Sequence, residues 1–197
     1  MSFLGLTGKT FLIVGFANKK SIAWAVSNVL EEEGAHVLYC VRTQKRKDEL
    51  KKLRPEATIF TCDYRNEEEV ELLGSKIKES SETPLNGILH SIAFANYSEG
   101  LKPFHETKRE DFLEATQVSS FSLIELARSC KAILATDASV VSMGISSTEV
   151  TAENYGYMAP IKASLEASVR YLAKSFSHHS EVRFNSVNAG PLKTSAS

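Results

Sequence analysis

Apolar positions fall into two alternating kinds of segment along the whole chain. Short unbroken apolar runs occupy 10–14, 36–41, 57–62, 87–93, 139–142 and 182–187, and each is predicted to be a strand. Longer amphipathic or charged segments lie between them, predicted helical over 21–33, 45–53, 66–79, 108–116, 117–134 and 157–178. In 21–33, Ile22, Val26, Val29 and Leu30 share one face, and Gly34 supplies the stop signal. Strands that are apolar throughout suit a sheet covered on both faces. Strand–helix alternation with short links requires parallel pairing through right-handed crossovers. The expected fold is a doubly wound α/β sheet of six parallel strands, one domain spanning 1–197 without linkers or internal repeats.

Such sheets bind ligands at the carboxyl ends of their strands, so the residues there carry the candidate chemistry. The first turn runs Gly15, Phe16, Ala17, Asn18, Lys19, Lys20, Ser21, Ile22. Gly15 permits a tight turn and Ala17 a close approach. Ser21 can cap the next helix with its hydroxyl towards a phosphate. The full G-x-G-x-x-G pattern is absent, and a plain capped strand–helix turn would use the same residues. The second strand ends at Arg42, with Lys45 and Arg46 nearby. A carboxylate at this place grips the ribose 2′-hydroxyl of NADH, whereas a cation suits the 2′-phosphate of NADPH, so Arg42 leans towards NADPH. A solvated helix start, with Lys45 and Glu49 paired four apart, is the alternative. The third strand ends in Asp63 and Tyr64, where the carboxylate can accept from an adenine amino group or cap the following helix. The fourth ends in His90, Ser91, Ile92, Ala93, Phe94, Ala95; the small Ser91 and Ala93 let a cofactor lie against the strand, or simply pack.

The most specific chemistry is Tyr155-x6-Lys162, downstream of Ser142 at the end of the fifth strand. Seven residues make about two helical turns, which would set phenol and ammonium on one face. An ammonium there can lower the phenol's pKa and hold a nicotinamide ribose, while the phenol protonates or binds a substrate oxygen. Tyr157, five residues before Lys162, would stand about 140° round the helix and has no role in this reading.

With these pieces in order, the chain resembles the short-chain dehydrogenase/reductase superfamily, and within it the enoyl-[acyl-carrier-protein] reductases. The resemblance runs through residues 15–23, Cys62 and Asp63, residues 90–95, 118–122 and 155–173, then Asn188, Ala189, Gly190, Pro191 and Thr194. It implies a Rossmann-type fold and an NADPH- or NADH-dependent oxidoreductase of fatty-acid synthesis. Such an enzyme delivers hydride to the β-carbon of a trans-2-enoyl chain carried by acyl-carrier protein. By the same resemblance Gly15, Ser21, Ile22, Asp63, Ile92, Lys162, Leu192 and Thr194 bind the cofactor, and the strand-end candidates Arg42, Tyr64, Ser91 and Ala93, with Gly190, are expected to join them. Ala95 touches the acyl substrate, and Tyr155 is the catalytic phenol assisted by Lys162. It also implies a cytoplasmic homotetramer, with the helices at 117–134 and 157–178 between subunits. Ordinary carbonyl reductases carry Tyr-x3-Lys, and that position here is Met158, which has no proton to give. A phenol three residues earlier is shifted about 4.5 Å along a helix, suiting charge that develops on a thioester oxygen two carbons from the hydride acceptor.

The chain departs from the family pattern in four places. Residues 142–148 lack the family's second tyrosine, the loop to Tyr155 is about two residues longer, and Pro160 lies between Tyr155 and Lys162. Pro160 is harmless if the helix starts near 157–159 and strains it if the helix starts at Tyr155. The sequence stops just after the Gly190–Pro191 turn, where the family continues into a substrate-covering segment, a further helix and a seventh strand; a continuation of ~50–70 residues is expected. A ketone or other small-carbonyl reductase, and a non-catalytic NAD(P)-binding regulatory module, are the alternatives.

Composition narrows the remaining classes. Lys plus Arg number 23 against 24 Asp plus Glu in 197 residues, which leaves no footprint for nucleic acid. There is no apolar run of ~18 residues for a membrane span. The three well-separated cysteines, Cys40, Cys62 and Cys130, fit a reducing cytoplasm and small apolar packing positions rather than a disulfide framework. His178 and His179 are adjacent and point apart, and no metal site is expected.

Overall fold

The structure, a computed structural model, describes residues 3–152, 155–190 and 192. Six parallel strands form one sheet in the order β3-β2-β1-β4-β5-β6: β1 Thr10–Val14, β2 His36–Val41, β3 Thr58–Thr61, β4 Leu85–His90, β5 Leu134–Ile145 and β6 Arg183–Ala189. The chain winds outward from β1 to β3, returns to the centre at β4 and winds outward again. The reversal of winding lies between β1 and β4, where such sheets open a crevice.

Among the described residues six α-helices cross between the strands: α1 Ile22–Glu32, α2 Gln44–Leu53, α3 Glu67–Ser80, α4 Arg109–Thr116, α5 Ser122–Cys130 and α6 Met158–Phe176. Alternate strand residues face opposite layers. Leu12, Val14, Leu38 and Cys40 pack with Leu73 and Ile77 of α3, Leu123 and Leu126 of α5, and Leu165 and Val169 of α6. Ile13, Tyr39, Ile59 and Leu89 face the other way, against Ala23 of α1 and Leu50 of α2. This two-sided burial is why the strands read as unbroken apolar runs.

Several boundaries differ from the sequence reading. β4 ends at His90 rather than at 93. β5 is much longer than 139–142, because the exposed Thr136–Asp137 stretch breaks the apolar run while the chain still pairs with β4 across a register shift. The helix expected over 117–134 ends at Cys130, with a 3₁₀ turn at Lys131–Ile133. It also begins with a wide π-type turn, Gln117–Phe121, that joins α4 to α5. The helix expected over 157–178 is α6, whose third residue is Pro160. Pro160 thus sits in the first turn, where its missing N–H has no helical partner to lose.

Candidate active site

The turn after β1 depends on Gly15, at φ +103°. A Cβ there would collide with the carbonyl oxygen of Ser91, just past the end of the neighbouring β4. The two central strands therefore approach each other closely just where the winding reverses. Ser21 caps α1, accepting from Trp24 N–H at 3.3 Å and donating to the Asn18 carbonyl at 2.7 Å. Ile22 is the first residue of that helix. Arg46 reaches back from α2 and donates to the Ala17 carbonyl at 2.8 Å while pairing with Glu49. The cation that braces the turn is thus Arg46, and Arg42 stays exposed at the rim.

Seven of the expected cofactor residues, Gly15, Arg42, Asp63, Tyr64, Ser91, Ile92 and Ala93, line one open groove at these strand ends. Asp63 does not cap α3; Asn66 does. The Asp63 carboxylate is gripped by the Arg65 guanidinium on both oxygens, which holds it below the ordinary range, and Arg65 also pairs with Glu114 of α4. Tyr64 is buried; its ring belongs to the core beneath the groove, and its hydroxyl lies beside the buried Cys40 thiol. Gly190 and Leu192, beyond the end of β6, are exposed. Thr194 lies outside the described residues.

On the other side of the site, Ala95 and Tyr155 pack with Tyr97 and Phe112 against Ala115, Tyr157, Met158 and Ile161. Tyr155 precedes α6, in a short turn followed by Gly156 at φ +54°. The expected geometry of two continuous helical turns between Tyr155 and Lys162 is therefore corrected: a left-handed residue intervenes. Lys162 is 4% exposed and donates to the Met143 carbonyl at 2.8 Å. Burial lowers its pKa to about 8. The Tyr155 phenol is raised instead, first by burial and then by Tyr97, and so remains protonated at neutral pH. The expectation that the ammonium lowers this phenol does not hold in this arrangement.

A buried polar chain runs behind the lysine. The Ser122 hydroxyl donates to the Val118 carbonyl at 2.6 Å, so it accepts from His90 Nε2 at 2.8 Å. His90 Nδ1 then accepts from the Ser142 hydroxyl at 3.3 Å. Burial, with the Lys162 charge second, drops the imidazole to about 3, so it is neutral here.

Sequence reasoning passed over Ser119, Tyr97 and Tyr157. Ser119 sits in the π-type turn, where its hydroxyl accepts from Phe94 N–H at 2.8 Å and donates to the Phe94 carbonyl at 3.0 Å. Tyr157 does the same for Asn96, at 2.8 and 3.0 Å. One signal was available: a proline at 160 favours a helix starting a few residues earlier, which frees 155–157 from helical geometry.

A family model described as "Enoyl-(Acyl carrier protein) reductase" matches residues 15–197. "Enoyl-[acyl-carrier-protein] reductase [NADPH] FabI" of Staphylococcus aureus (strain MRSA252) is 38% identical over 200 residues, covering 97% of this chain and 76% of that protein. "Enoyl-[acyl-carrier-protein] reductase [NADH] FabI" of Bacillus cereus is 34% identical over 194 residues, covering 96% and 75%. Among solved structures, the Bacillus cereus enoyl-acyl carrier protein reductase with NADP+ and indole naphthyridinone superposes with a TM-score of 0.91 at 34% identity, covering 98% of this chain and 76% of that one. The NADH-dependent enoyl-[acyl-carrier-protein] reductase of Aquifex aeolicus VF5 gives 0.90 at 33%, covering 97% and 76%. With its six-stranded doubly wound sheet and the groove at the β1–β4 reversal, the chain belongs to the enoyl-(acyl carrier protein) reductase family.

Proposed function

We propose that this chain reduces a trans-2-enoyl thioester borne by acyl-carrier protein, using NADPH or NADH. The observation that carries the reading is the placement of Tyr155 and Ala95 in one apolar cluster, with Ala95 next in the chain to Phe94, which lines the groove at the ends of β1 and β4. The groove fits a dinucleotide. Gly15 brings its turn against the backbone just past β4, Ser21 caps a helix whose N-terminus faces the turn, and Arg42 is exposed at the rim, where it can meet a 2′-phosphate. Gly15, Ser21, Ile22, Asp63, Ser91, Ile92, Ala93, Lys162, Gly190 and Leu192 would hold the cofactor. When bound, the cofactor supplies the hydride that adds to the β-carbon.

The chain's own residues do the rest. Ala95 and its neighbours bound the acyl chain and exclude water. Tyr155, kept protonated, hydrogen-bonds the thioester oxygen and stabilises the charge that develops there. Lys162 carries a positive charge below about pH 8 and adds to the same stabilisation from its buried position. A neutral His90 leaves that charge unopposed by a second buried cation. The test is turnover of a crotonyl or longer enoyl thioester with saturated product identified. Tyr155→Phe should lower kcat about a hundredfold while cofactor affinity is kept, and unchanged turnover in that variant would remove Tyr155 from the mechanism.

The same reading assigns a homotetramer. Tyr171 on α6 is 79% exposed and Phe121, at the head of α5, is 46% exposed, on the two helices expected between subunits. Sedimentation velocity tests this directly, a monomer being the contrary result. Cys40, Cys62 and Cys130 are all buried and free, which fits a reducing cytoplasm. No helix among the described residues is long and apolar enough to cross a membrane.

A further inference from the structure

Beyond His90 the chain of β4 leaves its ladders, and among the described residues no strand pairs with residues 94–97. Backbone groups that lose a ladder need other partners. Two hydroxyls supply them at every second residue. Ser119 satisfies both the N–H and the C=O of Phe94, and Tyr157 satisfies both the N–H and the C=O of Asn96. Each hydroxyl thus closes both backbone hydrogen bonds of one residue, as a facing residue does in a hydrogen-bonded pair of strands. Ala95 lies between the two anchored residues.

The anchoring is reciprocal at the second point. Tyr157 belongs to the segment that carries Tyr155 and holds Asn96. Tyr97 belongs to the Asn96 segment and donates to the Tyr155 carbonyl at 3.0 Å. The two rings pack at 5.1 Å between centroids, and Phe112 closes on Tyr157 at 6.3 Å. Gly156 sits between the two tyrosines of the turn, and a Cβ on it would stand 3.1 Å from the Tyr97 hydroxyl oxygen. Tyr157 is 6% exposed, so its hydroxyl bonds are shielded from competing water. Asn96 is fixed a further time, its side chain donating to Asp111 at 2.9 Å.

We propose that Tyr157 and Tyr97 are positioning residues: they lock the 155–157 turn to residues 94–97 and thereby fix the Tyr155 phenol relative to the Ala95 wall of the acyl site. This rests on the reading of Tyr155 as the catalytic phenol. The lock is needed here because Tyr155 lies outside α6, beyond a left-handed glycine, and the helix cannot orient it. It also works in a chain whose residues 142–148 provide no tyrosine from the β5 side.

The test uses Tyr157→Phe and Tyr97→Phe, which keep the rings and remove only the hydroxyls. Amide hydrogen exchange should show the Asn96 N–H exchanging at least tenfold faster in Tyr157→Phe, with the 155–157 amides following in both variants. This readout does not depend on any activity. In turnover, each variant should lower kcat for an enoyl thioester about tenfold to a hundredfold, with the Kd for NADPH unchanged. The loss should vanish when either is placed on Tyr155→Phe, because a positioning effect disappears with the group it positions. Unchanged Asn96 exchange overturns the lock. Faster exchange with unchanged kcat, or an equal loss on the Tyr155→Phe background, overturns its action through Tyr155. A wild-type enzyme with no enoyl turnover would instead remove the catalytic reading of Tyr155, leaving the exchange result to judge the lock.

Discussion

Lys162 is buried at a cost, and that cost is measurable. It is 4% exposed, and burial lowers its pKa from the ordinary 10.5 to about 8. At about 1.4 kcal/mol per pH unit, the ammonium opposes folding by about 3 kcal/mol. Its bond to the Met143 carbonyl returns roughly 1 kcal/mol on replacement of the lysine by an apolar chain. Lys162→Met, of similar length, should therefore be about 2 kcal/mol more stable than wild type at pH 7 while losing activity. The sign follows from the proton count. The folded-state pKa lies below the unfolded one, so between about pH 8 and 10.5 the unfolded chain binds more protons. Wild-type stability then climbs through that window, while below pH 8 the full cost is present. Urea denaturation of both proteins at half-unit steps from pH 6 to 10, with equal m-values as the control, reads the difference. The gap should be widest at or below pH 7 and shrink steadily above pH 8. A variant less stable than wild type at pH 7, or a gap constant from pH 7 to 10, would refute the reasoning.

Three other outcomes follow from the site. Arg42→Ala should raise the KM for NADPH at least tenfold and leave that for NADH nearly unchanged, since the exposed guanidinium at the groove rim is assigned to the 2′-phosphate. Gly15→Ala should cost about 3 kcal/mol in urea denaturation, because the added methyl meets the Ser91 carbonyl and φ is +103°. Ser122→Ala leaves the buried His90 Nε2–H without its acceptor and should cost about 1–3 kcal/mol; the loss should be the same at pH 5 and pH 8, because His90 stays neutral across that range.

What the sequence made legible follows from which forces are local. β1 and β2 run over the predicted residues because each is a continuous apolar run bounded by a glycine or a charged turn. The sheet order and the position of the groove follow from winding rules applied to those runs. Ser21, Gly15 and the groove-lining residues after β4 were visible because turn and cap chemistry is written in neighbouring residues. The end of β4 was not, because Ser91 and Ala93 look like strand residues and only the missing neighbour strand stops the ladder. The same holds for Tyr157. Helical spacing set it aside, yet a glycine in the left-handed region at 156 turns it onto Asn96 from 61 residues away in sequence. Asp63 was read correctly as a strand-end carboxylate, but the Arg65 that grips it depends on how the next turn folds back. The resemblance to enoyl reductases was legible because Lys162 to Ala173 and the segments at the strand ends carry the family's pattern, and the relatives confirm it.

The central claim is enoyl-thioester reduction through Tyr155, and the most direct measurement is single-substrate specificity. Purified protein is given NADPH or NADH with a trans-2-enoyl thioester on acyl-carrier protein or a short carrier mimic, and in parallel with a panel of ketones. Cofactor oxidation is followed by absorbance and product by mass. The account predicts one saturated thioester formed per reduced cofactor consumed, with no turnover of the ketones. Ketone reduction with an unreacted enoyl thioester, or cofactor binding with neither substrate consumed, would contradict it.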